Sequence, residues 1–526
     1  MPTTEPTGPV RMTPGPRWDE PGEPYAAVAE THISTVVFIG DRAYKIKKPV
    51  AFPFLDLTTQ EAREADCARE VDLNRRLAPD VYLGVAYLTA GGQAVGHAGG
   101  DPVSEGGDAE PVVVMRRMPA HRRLSTLVRA DADVADALRD AARRLAEMHA
   151  KVPPLTSVDL GERMRELWDE GFDQLEPFAG RILDRNDLSE ARRLAHEYVA
   201  GREPLFSDRR KSGRVKDGHG DLLADDVFCL ADGVRILDCL EFDPRLRVGD
   251  VLADVGFLAM DLERLGRPGL ARDFLTWYAE FAAETHPRSL EHHYIAYRAF
   301  VRAKVECLRA AQVATDGEEA ASAAQAYLRL VLDHLRAGRV RLLLLGGLPG
   351  SGKSTLAAEL AARSSDGWTL LRSDVVRKEQ AWLAPTDSAA STYGTGLYDA
   401  AHTDAAYGEM LHRAGDALER GLSVVLDASW TDERHRQRAR EVGRSRHAAV
   451  TEALADAPPQ VCAQRLAHRR THGSDASDAS VEVLARMAAS SDPWPTARRI
   501  LTTGPLDDSV AELQRVALQP GEGSRP

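Results

Sequence analysis

A chain of 526 residues, 43% hydrophobic and 28% charged, has room for roughly two to four globular domains and excludes a collagenous or disordered polymer. No apolar run approaches the ~18 residues of a membrane helix. The net charge of -13 argues against a polyanionic partner, and the five cysteines (Cys67, Cys229, Cys239, Cys307, Cys462) show no CxxC spacing, which argues against a zinc site or disulfide framework and fits a reducing cytoplasm. The charge is uneven. From Gly338 onward 23 basic and 24 acidic residues leave -1, and the preceding stretch carries 44 against 56, or -12. Only nine of the cations are lysines, so each lysine is conspicuous.

The chain opens on residues 1–24 with seven prolines and no apolar core, a disordered tail rather than a signal peptide. Residues 32–48 read as two strands joined at Gly40-Asp41. Period two places Ala43, Lys45 and Lys47 on one face of the second strand. Residues 59–78 carry a helical pattern (Ala62, Cys67, Val71, Leu73, Leu77) that stops at Pro79. Strands follow at 81–88 and 112–118, with a Gly/Asp/Glu-rich hairpin loop over 91–111. From 124 to about 336 the pattern is mainly helical, with helices expected over 257–265, 271–284 and 292–312 and a linking helix over 318–337. It is broken at 211–240 by a loop and two short strands. Val340 to Gly346 is a buried parallel-type strand, and strand–helix alternation runs from there to about 516, with a frayed end over 520–526.

Behind that strand, Gly347-Leu-Pro-Gly350-Ser351-Gly352-Lys353-Ser354 matches G-x-x-x-x-G-K-[ST]. The backbone N–H groups of such a loop point at a β-phosphate, Lys353 reaches the β and γ oxygens, and Ser354 holds Mg²⁺. Thr355 opens the next helix, whose positive end faces the anion. Asp427 closes a second buried strand, VVLD, where a magnesium-supporting carboxylate belongs. Asp374, in LRSDVVR, stands at another strand's carboxyl end and is placed to take a hydroxyl proton, with Arg377 to grip an anionic substrate. Arg465 and Arg469 share one helix face, i and i+4, and can close over a transferring phosphoryl group.

The second constellation is His219-Gly-Asp221-Leu-Leu-Ala-Asp-Asp226, followed by Ile236-Leu-Asp238. A hydroxyl kinase needs one carboxylate for the acceptor proton and two oxygen ligands for Mg²⁺. Asp221, Asp226 and Asp238 supply that set, and His219 braces the loop. Ala43 leaves room for a flat base while the Lys45 ammonium reaches the phosphates, and Glu70 on the following helix can pair with Lys45.

The C-terminal part, by GLPGSGKST, SDVVR, VVLDASW and an arginine-bearing lid ending in SDAS, resembles the P-loop small-molecule kinases around gluconate kinase, zeta-toxin and polynucleotide kinase. The resemblance implies ATP-dependent phosphorylation of a hydroxyl with Asp374 as base. Residues 25–310 resemble the aminoglycoside phosphotransferase and kinase-like superfamily, in a branch often fused to a P-loop kinase. That resemblance implies Lys45 and Glu70 as the phosphate-positioning pair, residues 112–118 with Met115 as the adenine hinge, Asp221 as base and Asp238 as metal ligand. Asp250 and Asp254 match its later acidic positions, Asp254 in a structural role. There are two departures. Asp226 stands where the superfamily has asparagine, and no glycine-rich loop precedes Lys45.

The expected architecture is therefore an α+β kinase-like pair of lobes (25–118 and 119–330) followed by an α/β P-loop domain with a parallel sheet (338–516). The expected function is two ATP- and Mg²⁺-dependent kinase modules in one cytoplasmic chain, each acting on a small-molecule hydroxyl, with no membrane or nucleic-acid partner. Two other readings are a nucleotide-binding pseudokinase that regulates one P-loop kinase, and a P-loop kinase of nucleic-acid ends.

Overall fold

The computed structural model describes residues 10–11, 23–31, 33–52, 55–88, 94–96, 109–312, 317–364, 367–384, 399–472 and 481–518. The greater part of the expected tail, most of the 91–111 loop, the SDAS stretch and the end after 518 lie outside them. The chain forms two compact units, each discontinuous in sequence: 1–158 with 209–285, and 159–208 with 286–526.

The first unit carries a seven-stranded sheet among the described residues, in the order Val10–Arg11, Ala94–Gly96, Tyr82–Leu88, Glu110–Arg116, Arg42–Lys47, Ser34–Ile39, Ala26–Glu30. Every pairing is antiparallel. The Gln60–Asn74 helix lies on it, started by Thr59, whose hydroxyl accepts the Ala62 N–H. Cys67 and Val71 of that helix pack with Ala43, Val113 and Met115 of the strands. Below the sheet, the Val227–Leu230 and Gly233–Ile236 hairpin and the short Val215–Asp217/Val248–Asp250 pair hold the polar loop at 219–226. The Val251–Arg264 helix is buried without interruption from Val251 to Leu262. It starts six residues before the expected 257, because Asp250 caps it. A helix buried on every side gives no one-sided 3.6-residue stripe to read.

The second unit is built on a five-stranded, wholly parallel sheet in the order Trp368–Arg372, Ser423–Asp427, Arg341–Gly346, Ala449–Asp456, Arg498–Leu501. Its central strand is buried at every residue, as a parallel strand covered on both faces must be. The Leu160–Leu175, Arg185–Ala200, Arg288–Gln312 and Gly317–Ala337 helices belong to the same unit. Trp168 and Phe172 stack on each other and pack at a tilt against Phe300, and Gly171 allows that approach, since a Cβ there would meet the Phe300 ring. Arg202, 1% exposed, donates to the Arg446 carbonyl at 2.8 Å, and Ser289 donates to the Gly421 carbonyl at 2.7 Å. The observed fold class is the expected one, an α+β kinase-like region followed by an α/β P-loop domain. Among the described residues no helix is long and apolar enough to cross a membrane.

Candidate functional site

In the first unit Lys45 projects from the Arg42–Lys47 strand to Glu70 on the facing helix, Nζ to Oε1 at 2.8 Å, and to Asp238 Oδ1 at 3.0 Å. Burial pulls the Lys45 ammonium down, but the Asp238 and Glu70 carboxylates outweigh it and hold its pKa well above the ordinary lysine value. Lys45 in turn lowers the Asp238 carboxyl. Asp238 sits in left-handed backbone (φ 63°), a strained position for a residue other than glycine, with its side chain half exposed.

Two residues beyond, Lys47 is fully enclosed. Its Nζ lies 2.7 Å from Glu70 Oε2, 2.9 Å from Asp66 Oδ2 and 2.5 Å from Glu241 Oε1. Sequence reasoning put Lys47 on the Lys45 face but did not find Asp66 or Glu241. The available signal was the helical spacing of Asp66 and Glu70 opposite two scarce lysines.

The 219–226 loop is clamped by Asp254, which accepts the His219 and Gly220 N–H groups at 2.8 Å each and faces His149 Nε2 at 3.1 Å. A Cβ at Gly218 would meet Asp254 at 2.6 Å, so the clamp requires glycine there. His219 bonds the Leu237 carbonyl at 2.9 Å, tying the loop to the segment that carries Asp238. Asp254 is thus a bracing residue, as expected, and His149 is its unforeseen partner. Burial, then Asp238 and Asp221, push the Asp226 carboxyl well above its ordinary range. These three carboxylates therefore sense one another. Among the described residues no cluster of three His, Cys, Asp or Glu side chains is set to hold a metal alone. Hard oxygen donors that need phosphate oxygens to complete a shell suit Mg²⁺. Met115 is buried opposite Ala43 in the adjoining strand.

In the second unit the glycine loop follows the buried central strand. Gly347, Gly350 and Gly352 all have positive φ (147°, 80° and 92°). A Cβ at Gly350 would lie 2.5 Å from the Cys462 carbonyl oxygen. Lys353 and Ser354 open the Lys353–Arg363 helix. Asp427, 3% exposed at the end of the adjacent strand, accepts from Arg372 Nε at 3.2 Å, and burial raises its pKa against the pull of Lys353 and the neighbouring Ser354. Asp374 lies in the first turn after the Trp368–Arg372 strand and pairs with Arg377 at 3.0 Å. Behind them stands the buried Tyr407, stacked on His435 with ring centroids 4.2 Å apart. Its hydroxyl accepts the Trp430 N–H at 3.2 Å and lies 3.3 Å from Ser429 Oγ. Neither Tyr407 nor His435 was legible in sequence, since each sits on a helix remote from the glycine loop.

Arg465 is committed elsewhere: it donates to the Thr502 carbonyl at 2.6 Å and to the Gly350 carbonyl at 3.3 Å, bracing the glycine loop from outside. The Arg469 side chain lies outside the described residues.

The AAA domain family model matches residues 342–494, which contain this loop, Asp374 and Asp427. Uncharacterized proteins of Mycobacterium bovis and Mycobacterium tuberculosis are each 40% identical over 497 residues, covering 94% of this chain and 96% of theirs. Among solved structures, a gluconokinase from Sinorhizobium meliloti 1021 is 18% identical, covering 34% of this chain and 93% of its own, with a TM-score of 0.24. A choline/ethanolamine kinase family protein from Mesorhizobium loti is 17% identical, covering 60% of this chain and 92% of its own, with a TM-score of 0.38.

Proposed function

We propose that this chain, which belongs to the family of the mycobacterial proteins matching it across 94% of its length, is an ATP-dependent phosphotransferase with two sites, each passing a γ-phosphoryl group to a small-molecule hydroxyl. One recurrence carries the reading. In each unit a lysine fit to hold phosphate stands beside a carboxylate fit to support Mg²⁺, with another carboxylate close by for an acceptor proton.

In the first unit Lys45, aimed by Glu70, grips the phosphates while Asp238 and Asp226 supply metal oxygens and Asp221 takes the acceptor proton. In the second, the N–H groups of the glycine loop and Lys353 cradle the phosphates, Ser354 and Asp427 support the metal, Asp374 takes the proton and Arg377 orients the acceptor. Bound Mg²⁺ neutralises charge on the β and γ oxygens. The five free, buried cysteines support a place in the cytoplasm.

A second reading has its own observation. An extra carboxylate, Asp226, adds negative charge beside Asp238 and Asp221, which favours a pseudokinase in the first unit. The nucleic-acid reading loses ground. Along the basic 434–446 stretch, Arg434 pairs with Asp432, Arg440 with Glu433 and Glu452, and Arg446 with Glu419, and Arg436 is buried against the Trp430 and Pro493 carbonyls. That leaves the exposed Arg438 and Arg444 as the charge this stretch offers to phosphates.

The deciding assay is γ-labelled ATP on the intact chain with sugars, aminoglycosides, nucleosides and 5′-hydroxyl oligonucleotides, repeated with Lys353→Ala and with Asp221→Asn. Two acceptors, each lost with one variant, are the expected result. One acceptor lost only with Lys353→Ala selects the pseudokinase.

A further inference from the structure

Lys47 does something that neither constellation assigns to it. A lysine ammonium has three donors and no acceptor, and here Nζ stands within ion-pair distance of three carboxylates, Asp66, Glu70 and Glu241, at 2.9, 2.7 and 2.5 Å, the last contact a hydrogen bond. Asp66 and Glu70 are one turn apart on the Gln60–Asn74 helix. Glu241 comes from the segment that has just delivered Asp238. Glu70 is divided between the two lysines, Oε1 to Lys45 and Oε2 to Lys47. Glu70 is thus restrained at one oxygen by a hydrogen bond and at the other by an ion pair.

From this geometry we infer that Lys47 is a positioning residue: it fixes Glu70, and through Glu70 aims Lys45 at the nucleotide phosphates, while Glu241 locks the Asp238 segment to the same point. The inference rests on the reading of the first unit as a nucleotide site. The logic is one of charge and freedom. Were Asp238 to ligate Mg²⁺, Lys45 would lose one of its two anchors and depend on Glu70 alone. Glu70 keeps its place only while Oε2 is held. Without Lys47, four carboxylates (Asp66, Glu70, Asp238 and Glu241) face a single ammonium, and the outermost help is Arg69, 3.8 Å from the far oxygen of Asp66. Repulsion then spreads the cluster, and Lys45 follows whichever carboxylate remains near. The backbone nearby is not a substitute anchor. Asp238 N–H donates to the Tyr82 hydroxyl at 3.3 Å, which holds the chain of that segment and leaves its carboxylate free to swing.

The test reads Lys45 directly. The full chain is mixed with Mg²⁺ and an acyl-phosphate derivative of ATP. A lysine amine at the phosphates attacks the acyl carbon, the carbon–oxygen bond to phosphate breaks, ATP leaves, and the amine's proton goes to solvent. The resulting amides on Lys45 and Lys353 are quantified by peptide mass spectrometry, with Lys353 as the standard inside the same molecule. Lys47→Met is expected to lower the Lys45 amide about tenfold or more, the scale of a misplaced reacting group, with the Lys353 amide unchanged. Glu241→Gln, which keeps shape and removes one anchor, is expected to give a smaller fall in the same direction. A Lys45 amide at wild-type level in Lys47→Met overturns the inference, because a lysine that only stabilises the lobe leaves that ratio untouched. If Lys47→Met melts without a cooperative transition, Glu241→Gln decides, and an unchanged ratio there overturns it equally. A wild-type chain that labels Lys353 and never Lys45 removes the nucleotide reading of the first unit, and the inference with it.

Discussion

On the proposed reading the two candidate sites solve one problem, holding a triphosphate, with opposite materials. In the second unit the cradle is nearly all backbone. Three glycines at positive φ, a helix N-terminus and two side chains lie within eight residues of one another, at the end of a strand with no exposed residue. In the first unit the site is nearly all side chain. Lys45, Glu70, Asp221, Asp226 and Asp238 come from four separated stretches and are held by charge on charge. A backbone cradle is fixed once the fold is fixed. A charge cluster has to be balanced as well, and a single added carboxylate changes its protonation and its stability.

The sharpest way to break the contrast is to remove the one charge the backbone cradle depends on. Lys353→Ala is expected to abolish transfer by the second unit, a loss of ~10² or more because the lysine neutralises charge that develops in the transition state. The measurement is transfer from γ-labelled ATP in an Asp221→Asn background. Asp221→Asn in turn preserves shape and removes the base. Transfer at the first site should fall by ~10² while Mg²⁺-ATP still raises the melting temperature of that unit in a Lys353→Ala background.

Backbone strain separates the two materials more finely. Gly350→Ala puts a Cβ 2.5 Å from a carbonyl oxygen in left-handed backbone. It should cost about 1–3 kcal/mol in nucleotide binding by the second unit, read by calorimetry, and leave the first site alone.

The smallest effect concerns balance. The Asp226 carboxyl has a folded pKa well above its ordinary 3.8, because of burial and the neighbouring Asp238 and Asp221. The folded state therefore keeps a proton that the unfolded chain has released, so stability falls as pH rises from about 3.8 toward the folded value. Asp226→Asn removes that loss. Without Mg²⁺ it should melt higher than the wild type at pH 7, and the gap should close as the pH approaches 4. An equal gap at both pH values would show that charge is not the cause.

Sequence made the backbone site the more legible one for the same physical reason. A glycine loop between a strand and a helix is written contiguously, so GLPGSGKS, VVLD and SDVVR could each be placed by local rules. In the first unit Lys45 and Glu70 were readable because one strand and one helix sit close together in the chain. Glu241 was not, because its role depends on a lysine 194 positions away. Tyr407 and His435 were hidden likewise, as ordinary residues of two helices that only packing brings together. The Ala26–Glu30 strand escaped because an edge strand that is largely exposed lacks the alternation that marks a half-buried one.

The passage of the chain between units at 158, 208 and 285 has a consequence for how the molecule is made. Everything the first unit needs has been synthesised once Thr285 leaves the ribosome. The Arg185–Ala200 helix is made before the last stretch of the first unit, yet its partner helix Gly317–Ala337 comes later, and Arg202 just beyond it waits for Arg446. At about 5–20 residues per second, the 244 residues between Arg202 and Arg446 occupy roughly 12–50 s of translation. Through that interval Arg202 lacks the Arg446 and His447 carbonyls it finally binds, and for part of it Trp168 waits for Phe300. The nascent chain thus carries an unfinished core past a finished neighbour, and no single cut can release either unit whole.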